Sequence, residues 1–202
     1  MNLDIVIPVY KEEDWLPDLL DCLFRQDLSG VHIYLSYSCI SGDETLSPSL
    51  DQELVEVQHL TVIRAHKGVG CARNAGAIAG ESEWILFLDA DVLVPDFFLR
   101  SIACIMQSPS SDALGFGFYA DSFRLSLRIG ARFSFWYISL LAKLQKSVLP
   151  GFAILVRRAA FEAVGGFRAN LAVGEDFAFT EDLRRLGFSV SLQAYPWVFC
   201  SV

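Results

Sequence analysis

The chain has 202 residues, 53% of them hydrophobic and 13% aromatic, which suits one domain with a full core and excludes a disordered chain. Acidic residues outnumber basic ones by 24 to 16, for a formal charge of −8, so a global basic footprint for nucleic acid is excluded and only a local basic patch stays open. The five cysteines, Cys22, Cys39, Cys71, Cys104 and Cys200, are scattered and never spaced Cys-x-x-Cys; reduced thiols are expected rather than a disulfide framework or structural zinc.

The opening run, residues 3–9, reads as a buried strand. Asp4 interrupts it and Lys11-Glu12-Glu13-Asp14 follows, so no signal peptide is expected. No stretch reaches the roughly 18 uncharged apolar residues of a membrane span. A cytoplasmic location is the expectation. Residues 14–26 carry apolar side chains at helical spacing, with Asp14 as a cap and Pro17 in the first turn. Residues 31–35 read as a second strand, 41–45 as a polar loop, 49–57 as a helix and 60–64 as a third strand. A loop at 66–70 opens a helix over 71–80 whose small residues permit close approach to a sheet or ligand. Residues 84–88 form the most strand-like run and end in Asp89-Ala90-Asp91. A helix over 96–106, a strand over 113–119, a long helix over 124–146, a strand over 151–156 and a helix over 158–164 ending at Gly165-Gly166 follow. The last elements are a helix over 177–186, stopped by Gly187, and a strand over 189–192 with an aromatic tail through Trp197 and Phe199. This alternation predicts a single α/β domain with a mainly parallel sheet.

Four groups of residues carry chemistry. Asp89 and Asp91, two apart at a strand end, can face the same way. They either hold a cation that relieves their repulsion or are solvated loop residues. Glu175-Asp176 opens a helix, either as a capping pair or with one carboxylate as a general base. Lys67 and Arg73, with Gly68 and Gly70, form either a phosphate-binding helix start or an ordinary loop. Arg124, Arg128, Arg132, Ser139, Lys143 and Lys146 make a basic stripe on an aromatic-rich amphipathic segment. It either packs on the sheet or lies on an anionic membrane surface.

In this order the segments resemble the family 2 glycosyltransferases of the GT-A fold, over nearly the whole chain. Residues 5–13 (Ile-Val-Ile-Pro-Val-Tyr-Lys-Glu-Glu) are similar to that family's first strand and nucleotide loop. Residues 68–76 (Gly-Val-Gly-Cys-Ala-Arg-Asn-Ala-Gly) resemble its Gly-x-x-x-Ala-Arg-Asn-x-Gly helix start, and 84–91 its Asp-x-Asp strand. Residues 151–158 and 161–167 resemble its acceptor-side strand and helix. Gly174-Glu175-Asp176 with 182–187 is similar to its Glu-Asp motif.

The resemblance implies a Rossmann-like α/β/α sandwich with a nucleotide-binding half, 1–92, and an acceptor-side half, 93–202. It implies inverting transfer of a sugar from a nucleotide-diphosphate donor to a carbohydrate or lipid-linked hydroxyl, assisted by Mn²⁺ or Mg²⁺, which would stabilise charge on the departing diphosphate. By the same resemblance Asp91 meets the metal and Asp89 the ribose or the metal. Asp176 is the catalytic base. Pro8, Tyr10 and Glu12 line the nucleoside pocket, and Asp43, Lys67, Arg73 and Ala90 are further donor contacts. Glu175 and Gly151 lie on the acceptor side, and peripheral membrane contact runs through 124–146.

One segment departs from the pattern. Ser38-Cys39 stands where relatives carry carboxylates, one of which contacts the nucleobase, so the donor nucleotide is left open. Lys11 replaces an asparagine, and the chain ends at Val202, near where some relatives carry a basic motif. Two alternatives remain at this level: a protein that binds nucleotide sugars without transferring them, and a haloacid dehalogenase-like phosphatase reading of Asp89-Ala90-Asp91.

Overall fold

The structure is a computed structural model that describes residues 1–10, 15–39, 58–121 and 149–201. The sequence-predicted helices at 49–57 and 124–146 lie outside these residues, as do Glu12 and Asp43.

In chain order the elements are β1 (Leu3–Val9), α1 (Leu16–Phe24), β2 (Val31–Cys39), β3 (Leu60–His66), α2 (Val69–Ala79), β4 (Trp84–Leu88) and β5 (Val92–Leu93). Then follow α3 (Phe98–Gln107), β6 (Ala113–Asp121), β7 (Ala153–Arg157), α4 (Arg158–Val164), α5 (Glu175–Arg185) and β8 (Val190–Ser201). The strands form one sheet in the order β3-β2-β1-β4-β7-β6-β8-β5. The pairs β3/β2, β2/β1 and β1/β4 are parallel. Beyond β4 the sheet is mixed: β4/β7, β7/β6 and β8/β5 are antiparallel and β6/β8 is parallel. The expected parallel character therefore belongs mainly to the first half.

The sheet is covered on both faces, and this is why its central strands read as unbroken apolar runs. Every residue of β1 and β4 is buried. Successive residues point to opposite faces, so Leu3, Ile5, Ile7 and Val9 enter a core shared with α1 and α3, while Val6 enters a second core with Ala77, Phe161 and Phe179. The small residues of α2 bring that helix against the sheet: a Cβ on Gly76 would overlap Val6 Cγ1.

Asp4 is the polar exception within β1. At 2% exposure it accepts from Arg158 Nη2 at 2.7 Å, from the Ser82 amide at 2.9 Å and from Ser82 Oγ at 2.8 Å. Arg158 also donates to the carbonyls of Ser82 and Ala77. This satisfied network ties the start of α4 to β1 at the end of the sheet opposite the carboxyl edge.

Three boundaries differ from expectation. Helix α1 begins after Trp15 with Pro17 in its first turn, and the expected cap, Asp14, lies outside the described residues. Strand β8 runs on through the aromatic tail to Ser201. Its register on β6 jumps between Gln193 and Trp197, and Pro196, which has no N–H to give the ladder, lies within that irregularity. Helix α5 starts at Glu175, so both acidic residues belong to its first turn. Among the described residues no helix is long and apolar enough to cross a membrane.

Candidate active site

Strands β1, β2 and β4 run parallel, and their carboxyl ends open onto one cleft of about 200 Å³. Open α/β sheets bind ligands at this edge. The end of β1 contributes Pro8, Val9 and Tyr10, and the end of β2 contributes Ser38. The first turns of α2 supply Val69, Ala72 and Arg73, the segment after β4 supplies Asp89, Ala90 and Asp91, and the start of α5 supplies Glu175.

Arg73 is the hub of this arrangement. Its side chain is long, yet the residue is only 1% exposed, because α2 is otherwise built of Gly and Ala on the face turned to the sheet. Nη2 donates to Asp89 Oδ1 at 2.6 Å and to the Gly151 carbonyl at 2.9 Å, and Nη1 donates to Glu175 Oε1 at 2.8 Å. The guanidinium lies 5.1 Å from the centre of the Phe167 ring. Its Nε is buried without a hydrogen-bond partner. Burial opposes the Arg73 charge, but the neighbouring Asp89, Glu175 and Asp176 outweigh it and hold the group more firmly protonated than usual. Next in sequence, Asn74 makes a reciprocal pair with the Phe167 backbone, donating to its carbonyl and accepting from its amide, both at 2.8 Å. Two adjacent residues of α2 therefore grip the second half of the chain.

Asp176 stands half-buried in the first turn of α5. Its Oδ1 accepts from the Phe177 amide at 2.8 Å, as carboxylates at helix starts do. A Cβ on Gly151 would lie 3.1 Å from Asp176 Oδ2 and 3.3 Å from Arg73 Nη2, so base candidate and hub meet across Gly151. Thr180 donates to the Asp176 carbonyl and accepts from the Leu149 amide, which seats the helix on the turn before β7. Burial pushes the Asp176 carboxyl above its ordinary range and Glu175 adds to this, while the Phe177 amide and Arg73 pull the other way.

The two aspartates after β4 are not equivalent. Asp89 is engaged by Arg73, and its amide donates to the Phe152 carbonyl at 3.1 Å. Burial lifts its carboxyl, against the pull of Arg73. Asp91 lines the cleft directly before β5, which pairs with Cys200 and Phe199 of β8. The Cys200 thiol is pushed up to about 12 by burial, with Asp91 and Asp89 adding to the effect, so it is an inert packing group. Among the described residues no three His, Cys, Asp or Glu side chains cluster as a self-sufficient metal site.

The structure thus brings Pro8, Tyr10, Arg73, Asp89, Ala90, Asp91 and Glu175 around one cleft, with Gly151 and Asp176 next to Arg73. Lys67 is exposed and absent from the lining. Arg73, read from sequence as a donor contact, lines the cleft and gives three of its N–H groups to protein partners. Asp182, later on α5, points elsewhere: it is held by Arg168, bidentate at 2.8 and 2.9 Å, and by Arg185. Ser38, in place of the expected carboxylate region, accepts from the Gly68 amide at 2.8 Å and so fastens β2 to the loop before α2. That contact had no sequence signal.

Residues 4–165 match the family described as Glycosyl transferase family 2. The chain belongs to this family. It is 24% identical over 189 residues to an uncharacterized glycosyltransferase, EpsJ, of Bacillus subtilis (strain 168), covering 89% of this chain and 53% of that protein. It is 26% identical over 119 residues to the poly(ribitol-phosphate) beta-N-acetylglucosaminyltransferase TarS of Staphylococcus aureus (strain Mu50 / ATCC 700699), covering 56% of this chain and 20% of TarS. The chain therefore spans about half, or less, of the length of these relatives. The crystal structure of S. aureus TarS 1–349 in complex with UDP superposes with a TM-score of 0.75 at 20% identity, covering 100% of this chain and 61% of that one. The mannosyltransferase PcManGT from Pyrobaculum calidifontis, in complex with GDP-Man and Mn²⁺, gives 0.74 at 18% identity over 98% of this chain and 56% of that one. The fold is the GT-A-type α/β arrangement that the motifs implied. Membership of a transferase family removes the haloacid dehalogenase-like alternative.

Proposed function

We propose that this family 2 chain transfers a sugar from a nucleotide-diphosphate donor to a hydroxyl acceptor with inversion. The observation that carries the reading is the convergence of Asp89 and Asp91 from the first half and Glu175 from the second on one cleft at the carboxyl edge of the parallel strands, with Asp176 next to it across Gly151. In this reading Pro8, Tyr10 and Ser38 flank the nucleoside. Asp176 takes the proton of the acceptor hydroxyl. The oxygen lone pair attacks the anomeric carbon from the face opposite the leaving group. The bond from that carbon to the β-phosphate oxygen breaks, and its electron pair leaves on the diphosphate. A single displacement of this kind needs one base and no enzyme nucleophile. Burial raises the Asp176 carboxyl above its ordinary range, which makes it a stronger base than an exposed aspartate.

A divalent cation fits the residues present. Asp91 is a hard oxygen donor on the cleft wall, and Mg²⁺ sites commonly combine one or two carboxylates with substrate phosphates rather than an all-protein cage. Asp91 would hold the ion and Asp89, already paired with Arg73, would assist. When bound, such an ion neutralises charge on the diphosphate oxygens.

Close to the base in sequence, two large apolar residues are exposed, Val173 at 87% and Phe177 at 61%. They favour an acceptor that carries apolar surface, such as a lipid-linked sugar, over a free polar carbohydrate. The primary test is a thermal-shift and calorimetric titration with UDP, GDP, UDP-GlcNAc and GDP-mannose, with and without Mn²⁺. Ligands that bind only the folded state raise its Tm. Metal-dependent stabilisation by at least one nucleotide is expected, and none by any of them overturns the reading. Binding without release of nucleotide diphosphate would instead favour a chain that binds the donor but does not transfer it.

A further inference from the structure

The geometry points to Arg73 as a positioning residue that holds the base, rather than a ligand of the donor: through Glu175 and the Gly151 carbonyl it locks the first turn of α5, and with it Asp176, against Asp89. The inference rests on the transferase reading and assigns a task within it.

Three observations support it. The terminal nitrogens of Arg73 are met by two carboxylates and one carbonyl at 2.6 to 2.9 Å. Asp89, Glu175 and Asp176 all act on the one guanidinium and hold it protonated against its burial, so its charge is engaged within the protein. The partners also come from three separate stretches: the end of β4, the turn before β7 and the start of α5. A planar fork suits such divergent acceptors, and a lysine ammonium does not reproduce it. Arg73 is thus a direct protein link between Asp89 and the Glu175-Asp176 helix start. Asn74 reinforces the link by fixing Phe167, over which the guanidinium lies.

The consequence is a division of effects. A residue that binds the donor alters its KM, whereas one that aims the base alters kcat, because a misplacement of about 1 Å can cost roughly 100-fold in rate. The test compares Glu175→Gln, Arg73→Lys and the double variant with the wild type. One readout is hydrogen–deuterium exchange at the amides of residues 175–180 in the free protein. The other is kcat and KM for nucleotide release, with Mn²⁺, from whichever of UDP-GlcNAc and GDP-mannose the wild type turns over.

Expected are faster exchange at the start of α5 in each variant, a fall in kcat of about 10- to 100-fold with donor KM unchanged, and a double variant no slower than Arg73→Lys alone. A raised donor KM with unchanged kcat in Glu175→Gln would overturn the proposal and make Arg73 a donor ligand. If Arg73→Lys does not fold, Glu175→Gln carries the test, since it keeps the Arg73–Asp89 pair. A wild type that releases no nucleotide refutes the transferase reading instead. The exchange arm then still decides whether Arg73 fixes Asp176, and unchanged exchange refutes that.

Discussion

Replacing Asp176 by asparagine separates catalysis from stability. The substitution keeps the shape of the side chain and an oxygen able to accept from the Phe177 amide at 2.8 Å, and it leaves the Thr180 bond to the backbone carbonyl untouched. What disappears is the capacity to take a proton. A positioned general base contributes about 10²- to 10⁴-fold, or roughly 3–5 kcal/mol of barrier at 1.36 kcal/mol per decade. The kcat for transfer should fall by that factor, while donor affinity, which the proposal assigns to Asp91 and the β1 end, stays near wild type. Stability should move the other way. Burial holds the Asp176 carboxyl above its ordinary range, so its folded pKa exceeds its unfolded one. Such a group contributes stability that is fully present below the unfolded pKa and is lost as pH rises through the folded pKa. At neutral pH the ionised side chain is a cost that asparagine removes. Calorimetry at pH 7.5 should give a Tm for Asp176→Asn equal to or above wild type, and the advantage should vanish toward pH 4. Nucleotide-release kinetics on the same samples complete the assay. Wild-type turnover by Asp176→Asn, or a loss of donor binding parallel to the loss of rate, would refute the assignment of the base.

Asp91→Ala should weaken donor binding in the presence of Mn²⁺ and abolish its metal dependence, measured by calorimetry with UDP and GDP; an unchanged metal dependence would remove Asp91 as the ion's holder. Asp4→Ala leaves the partly buried Arg158 beside its vacated partner, at up to about 3–5 kcal/mol for a broken buried pair. That corresponds to roughly 6–20 °C in Tm for a chain of this size, read by differential scanning calorimetry, and an unchanged Tm would mean that the network adds nothing.

The parts of the fold that were legible in the sequence are those where burial is simple. Strands β1 and β4 are buried on both faces, so their apolar runs have no rival reading. The sequence pattern predicts only 189–192 for β8, with Pro196 soon after, whereas the ladder resumes at Trp197 once the register has jumped. Strand β5, two residues long, is too short to carry any periodicity. At the site, acidic residues at strand ends and helix starts announce themselves by position. Arg73 does not, because its role depends on three partners 16, 78 and 102 residues away. One signal was present: on α2, position 73 shares a face with Gly76 and Ala77 at i+3 and i+4, and both are buried. A large cation on the small-residue face of a buried helix is bound to find carboxylates inside. Ser38 carried no comparable signal, since its contact with Gly68 arises only when β2 and β3 lie side by side.

The most direct test is a crystal structure of the chain with Mn²⁺ and UDP or GDP, with the ion located from its anomalous signal. The expected result is one manganese peak beside Asp91, in contact with the diphosphate, with the nucleoside along Pro8, Tyr10 and Ser38 and Asp176 open to the opposite side. A nucleotide seated elsewhere, or an ion remote from Asp91, would contradict the assignment of this cleft.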